Sequence, residues 1–126
     1  MATSRFLPLM RITATLWTAA LIIQAVTAGL LLSTPGGRDI HNAGALLVYL
    51  AGLAQLISAI LLWRTGGGNP RFLITSAVGF ALAIIQGMIG WMGIAAVHVP
   101  LGALILAGGA ATLAQTWTGS SSAATR

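Results

Sequence analysis

Few side chains in this sequence are able to do chemistry, and two of them stand alone. His41 and His98 are the only imidazoles, Asp39 is the only acid, and lysine and cysteine are absent. One acid excludes a carboxylate pair for glycosidase-type acid–base work and a carboxylate-built metal cage. Without cysteine there is no disulfide, thiolate metal site or covalent haem attachment. Ser33, Ser58 and Ser76 have no His–Asp partners at matching depth, which disfavours nucleophilic hydrolysis. What is left is a pair of imidazoles, each able to ligate a metal through a neutral ring nitrogen.

Around the histidines stand amides and one phenol. Gln24, Gln55, Gln86 and Gln115 are the four glutamines, and each falls inside an apolar stretch. An amide in hydrocarbon needs a partner, so at least two should point inward to bond across helices. Tyr49, two helical turns after His41, is placed to donate into the same region.

The elements that position these groups follow from hydropathy. The chain has 126 residues, 57 % of them hydrophobic and 6 % charged, with mean hydropathy +0.94. A soluble domain carries about a quarter charged residues. Six arginines against one acid give a net charge of +5, too dispersed to track a phosphate backbone. Apolar stretches at 12–32, 40–63, 72–96 and 98–117 each have the roughly 17–25 residues that cross a bilayer as a helix. The reading is all-α: one transmembrane domain over 1–126, an integral membrane four-helix up-down bundle. "STPGGRD", "RTGGGNPR" and a short break at Ala96–Pro100 are the turns, with Pro100 in the first turn of the last helix. The polar tail "TGSSSAATR" should fray. The first stretch is about twice a signal-peptide apolar core, so it is read as a span despite small residues at Ala25–Ala28.

Arg5, Arg11, Arg64, Arg71 and Arg126 share one side of such a topology, and only Arg38 takes the other. The positive-inside rule then places both termini in the cytoplasm of a multi-pass protein of the cell inner membrane. Trp63, Trp91 and Trp117 fall near span ends, as an interfacial belt requires, and Trp17 lies deeper.

The two hairpins echo each other. "LIIQAVTAG" and "AIIQGMIGW" each carry a Gln in an outgoing helix. "HNAGALLVYLAG" and "HVPLGALILAGG" each open the returning helix with His, followed by Gly44 or Gly102. A duplication and chance in a small alphabet both produce this. Either way His41 and His98 start the second and fourth helices, which lie parallel and diagonal in an up-down bundle. Two imidazoles at matched depth on diagonal helices can hold the iron of a b-type haem between them. Ala25, Ala28 and Gly29 on the first helix, and Gly87, Gly90 and Gly93 on the third, leave room for a flat ring. Arg38 is placed to pair with a propionate. Small residues equally serve ordinary helix contacts, and an interfacial His is often only solvated.

With helix count, "IHNAG" at His41 and "AAVHVPLGAL" at His98, the chain resembles small four-helix haem-binding membrane proteins. It is loosely similar to one half of the haem A synthase type and to cytochrome b561-like proteins. The resemblance implies a bundle with histidines on helices two and four holding haem. The synthase type also has an acid near a ligand histidine, two halves and a cysteine-bearing outer loop. This sequence has no acid in any span, one such half and no cysteine, so the resemblance extends to the scaffold and a haem rather than to synthase chemistry.

The main functional expectation is therefore a bis-histidine b-type haem protein for electron transfer. Its metal ligands would be His41 and His98, and Arg38, Gly29 and Gly90 would complete the cofactor site. One alternative is a cofactor-free accessory or structural subunit of a larger membrane complex, its outward faces drawn from Gly79, Gly87 and Gly90 or from Gly102, Gly108 and Gly109. Another is a small homo-oligomeric transporter. Partners consistent with these readings are the lipid bilayer, a quinone or membrane redox protein, a larger complex or further copies of the chain, and no nucleic acid.

Overall fold

Apolar stretches joined by short Gly- and Pro-containing turns must fold back on one another. The structure, a computed structural model, describes residues 3–66 and 68–118. It contains α1 (Thr3–Ser33), α2 (Gly37–Gly66), α3 (Pro70–Trp91) and α4 (Ala95–Thr118). All four are long and apolar enough to cross a membrane. α1 and α3 each pack against both α2 and α4, and α1 meets α2 most extensively. The diagonal pairs, α1/α3 and α2/α4, make no close backbone approach. The molecule is an all-α up-down bundle with α2 and α4 across a diagonal. The α1–α2 and α3–α4 turns form one end, which carries the histidines. The other end carries Arg5, Arg11, Arg64 and Arg71. Gly67, Arg126 and the rest of the tail after Thr118 lie outside the described residues.

α2 is three residues longer at each end than its apolar stretch, and two other boundaries differ from the hydropathy reading for identifiable reasons. α1 begins at Thr3 rather than Ile12, and its 31 residues rise about 47 Å. Hydropathy sees only the apolar part. The polar end is held by α4, because Arg11 Nε donates to Thr116 O at 3.0 Å and the guanidinium lies 4.2 Å from the Trp117 ring centroid. The third turn is Met92–Ile94, not Ala96–Pro100. Gly93 reverses the chain at φ 75°, a conformation only glycine adopts freely. Ile94 N–H closes α3 onto Ile89 O at 3.2 Å, and His98 N–H opens α4 onto Ile94 O at 2.9 Å. Pro100 therefore stands inside α4, in its second turn, where its missing N–H removes one helical hydrogen bond. At the start of α3 the sequence signal holds. Asn69 caps it by accepting from Arg71 N–H at 2.9 Å, with Pro70 at the first helical position.

The interior is layered along the bundle. At the arginine end Met10, Ala59 and Leu62 form an apolar cluster with Phe6 and Phe72. Above it Gln55, Ser76 and Thr112 are buried polar residues, and Ser58 and Thr116 are buried nearer the arginine end. Above that lies Trp17, 2 % exposed, with Leu21, Val48, Ala83 and Ile105. Trp17 is thus a core residue and no part of the belt. A Cβ on Gly79 would run into its indole and one on Gly52 would press on it, so α2 and α3 each drop a side chain to admit one large ring, while a Cβ on Gly109 would press on Leu21. Trp63, Trp91 and Trp117 are exposed near helix ends, as the belt reading requires. The remaining exposed surface is mostly Ile, Leu, Val and Met, the face a bilayer solvates.

Candidate functional site

Above the Trp17 layer the four helices part around a cavity of about 310 Å³ at the histidine end. Its walls are largely apolar, and its polar groups are His41, His98, Gln24, Gln86 and Tyr49. That composition, apolar with a few placed polar groups, is the usual one for a ligand site. His41 stands in the second turn of α2 and His98 in the first turn of α4. Their backbones are kept apart by the diagonal, yet their ring centroids are 6.2 Å apart with planes at 76°. The side chains bridge the gap that the backbones leave.

Each ring is oriented by the neighbouring helix of its own hairpin. His98 Nδ1 lies 3.0 Å from Gln86 O on α3. A carbonyl only accepts, so Nδ1 carries the proton and Nε2 presents its lone pair. Gly90 makes this contact accessible. Its missing Cβ would fall 2.6 Å from His98 Cε1 and 2.8 Å from Nδ1, so the ring lies directly on the α3 backbone. His41 Nδ1 lies 3.0 Å from Thr27 Oγ1. The Thr27 hydroxyl proton goes to Gln24, whose backbone and side-chain oxygens lie 3.0 and 3.2 Å away. Nδ1 of His41 is then the donor as well, and its Nε2 accepts from Gln24 Nε2 at 3.3 Å. Both imidazoles take the same tautomer; Nε2 of His98 has no partner among the described residues, while Nε2 of His41 is held by the Gln24 amide.

The hairpin echo is also present in the contacts. Gln24 Nε2 donates to His41 O at 3.0 Å, and Gln86 Nε2 donates to His98 O. A Cβ on Gly44 would strike the Gln24 amide, and one on Gly102 the Gln86 amide. In each hairpin one amide of the outgoing helix lies over a glycine of the returning helix and bonds the histidine carbonyl one turn earlier. Three glutamines have buried amide oxygens, Gln55, Gln86 and Gln115, and Gln24 bonds across to α2; Gln55 Nε2 donates to Ser76 Oγ at 3.1 Å, and Gln115 Oε1 is buried without a partner among the described residues. The halves differ in one respect. Gln24 Oε1 accepts from Thr27, whereas Gln86 Oε1 is buried with no partner among the described residues.

Of the residues singled out from sequence, His41, His98 and Gly90 come together, and Ala25, Ala28 and Gly87 line the cavity. Gly87 lies under the Tyr49 hydroxyl, which a Cβ there would displace. Arg38 is exposed in the first turn of α2, and Gly29 is exposed with open space where a Cβ would be. Neither lines the cavity. Gly93 belongs to the turn. The candidate outer-surface glycines mostly face inward: Gly79, Gly87, Gly90, Gly102 and Gly109 all abut side chains of other helices, and Gly108 alone has open space. Sequence reasoning missed Thr27, whose signal was its place one turn after Gln24. It also missed Trp17 as the core residue that packs with the cavity-lining Leu21, Val48, Ala83 and Ile105.

Among the described residues there is no group of three or more His, Cys, Asp or Glu placed to hold a metal ion. Comparison with protein-family models, curated proteins and solved structures finds no match to this chain. The residues and their geometry alone carry any functional reading of this membrane four-helix bundle.

Proposed function

We propose that the His41–His98 pair binds one b-type haem through its two Nε2 atoms and that the protein transfers electrons within the membrane. The observation that carries this reading is the 6.2 Å separation of the two ring centroids across the bundle diagonal. A metal bound by two imidazoles sits roughly 2 Å from each nitrogen. Adding roughly 1 Å from nitrogen to ring centre on each side gives a centroid separation of about 6 Å. The shared tautomer supports the same reading, since a ligating histidine normally donates its other N–H to a fixed acceptor. Two imidazoles do not make a protein-only metal centre. A macrocycle would supply the remaining donors of an iron.

The donor set fits the group once His41 Nε2 gives up its bond from the Gln24 amide, while the cavity lies at the low end for ligand sites. Taking up a macrocycle requires the helices to part further at the histidine end. Haem would supply a one-electron couple. The chain would hold the two rings in one orientation, Thr27 and the Gln86 carbonyl keeping both Nδ1 atoms protonated. The Trp17 layer closes the floor against water from the arginine end. Arg38, exposed beside His41, is the cation available to a propionate, and Gly90 lets His98 sit back on α3.

The test is an absorption spectrum of protein purified from haem-replete cells, oxidised and dithionite-reduced, with a pyridine haemochrome assay. Sharp reduced α and β bands at about one haem per chain support the proposal. His41→Ala or His98→Ala should abolish the low-spin signal. A preparation without a Soret band ends the reading.

A second reading, a cofactor-free accessory subunit of a larger membrane complex, is favoured by a specific observation. Three of the four imidazole nitrogens already have protein partners, so the histidines are satisfied as polar groups of the bundle. This reading asks for nothing beyond the groups described. Its expected result is a colourless protein that co-purifies with a larger partner in mild detergent.

A further inference from the structure

We infer that the polar layer below Trp17 is an internal hydration site, in which one water bridges Trp17, Gln55 and Ser76. It is independent of the histidine site and lies on the other side of the indole.

Three side chains define it, and all are almost fully enclosed. Gln55 is 1 % exposed, Ser76 1 % and Trp17 2 %. Gln55 Nε2 donates to Ser76 Oγ at 3.1 Å, which fixes the amide between α2 and α3. That single bond leaves three groups without partners among the described residues. Gln55 Oε1 has no donor and Trp17 Nε1–H has no acceptor. The Ser76 hydroxyl accepts from Gln55, and its own proton has no acceptor. Most other buried hydroxyls bond back to their own helix, as Thr13, Ser58, Thr112 and Thr116 do, and Thr18 Oγ1 is left without a partner among the described residues. Ser76 does not bond back.

The unpaired groups lie on adjacent levels of the bundle. Trp17 Nε1 is 3.0 Å from where a Cβ on Gly52 would be, and Gln55 is the next residue along α2 on that face. Helical side chains lean toward the N-terminus of their helix, so the Gln55 amide is carried up toward the Gly52 level and the indole. On α3, Phe80 marks the Gly52 level and Ser76 lies one turn below it.

The kind of partner is decided by the inventory of donors and acceptors. Gln55 Oε1 requires a donor. Trp17 Nε1–H and the Ser76 hydroxyl require an acceptor. A cation cannot accept from the indole, and an anion cannot donate to the amide oxygen. Water does both, and buried waters usually make about three such bonds. Exchanging the amide oxygen and nitrogen of Gln55 makes the Ser76 hydroxyl the donor to the amide and leaves the amide N–H and the Trp17 N–H to be satisfied, and water accepts from both. Lipid offers no alternative partner at this depth.

The experiment uses the full chain, with ¹⁵N-labelled tryptophan, in bicelles of perdeuterated lipid. The Trp17 indole resonance is assigned by its loss in Trp17→Phe. The expected result is a short-mixing-time cross-peak between the Trp17 indole N–H and water. It should disappear in Gln55→Leu and persist in Ser76→Ala, while the other three indole resonances stay in place and report an intact fold. No cross-peak in the native chain overturns the inference. So does a cross-peak that survives Gln55→Leu, or one lost only in Ser76→Ala, which would mark relay from the serine hydroxyl. Should Gln55→Leu fail to fold, Gln55→Met is used, with the same outcomes.

Discussion

Gly90→Ala tests whether the imidazole of His98 rests on the α3 backbone. The new methyl would fall 2.6 Å from His98 Cε1 and 2.8 Å from Nδ1, where ordinary contact begins at 3.4 Å. The shortfall at Nδ1 is 0.6 Å. A retreat of that size takes the Nδ1···O bond to Gln86 from 3.0 Å to roughly 3.6 Å, beyond a hydrogen bond. The net loss for one such bond is about 1 kcal/mol. Alanine in place of glycine inside a helix gains about the same. The two offset, so Gly90→Ala should change stability by less than about 1 kcal/mol and yet displace His98. Histidine-selective ¹⁵N NMR in bicelles reads the His98 Nδ1–H signal, and unfolding in denaturing detergent reads stability. The signal should shift and exchange faster with water while the midpoint barely moves. Gly29→Ala, where a Cβ meets open space, should leave the signal alone. An unchanged His98 resonance in Gly90→Ala would refute the reasoning. A loss above about 3 kcal/mol would show that the backbone yields instead of the ring.

Trp17→Ala removes the ring on which Gly52 and Gly79 close. It should cost about 2 kcal/mol or more in a detergent unfolding assay, less than the about 3–5 of a soluble core, because lipid supplies no water-transfer contribution. Gln24→Leu removes the bond to His41 O and the contact with Thr27. It should cost about 1 kcal/mol or less, and His41 should change its NMR environment while His98 does not. Single cysteines at Thr34 and Thr65, on opposite ends of the bundle, should differ in intact cells. An impermeant reagent should reach position 34 and spare position 65, as the positive-inside rule requires, and the reverse labelling would invert the orientation.

The bundle was legible in the sequence because lipid leaves the backbone little choice. Four apolar stretches of spanning length must be helices, and short turns force neighbours to be antiparallel. Asn69–Pro70 reads directly as a helix start because the cap and the fixed proline dihedral are local. The ends of α1 and α3 were not legible. α1 is extended by Arg11 on α4, a contact 105 residues away in the chain. α3 ends where Gly93 takes a positive φ, and nothing in hydropathy marks which of several glycines will do so. The histidines were legible as a matched pair from their places at the starts of helices two and four.

Only the tertiary structure decided what surrounds that pair. The distance between the rings depends on how far α2 and α4 stand apart, and no spacing along the chain contains it. The protonated nitrogen of each ring depends on Thr27 and the Gln86 carbonyl, which belong to other helices. The direction of the glycines was undecided for the same reason. A small residue serves a lipid-facing contact or an inward ring equally well. Helical rotation, set by the packing of Trp17, Tyr49 and His98, turned all but Gly108 of the six candidate outer-surface glycines inward.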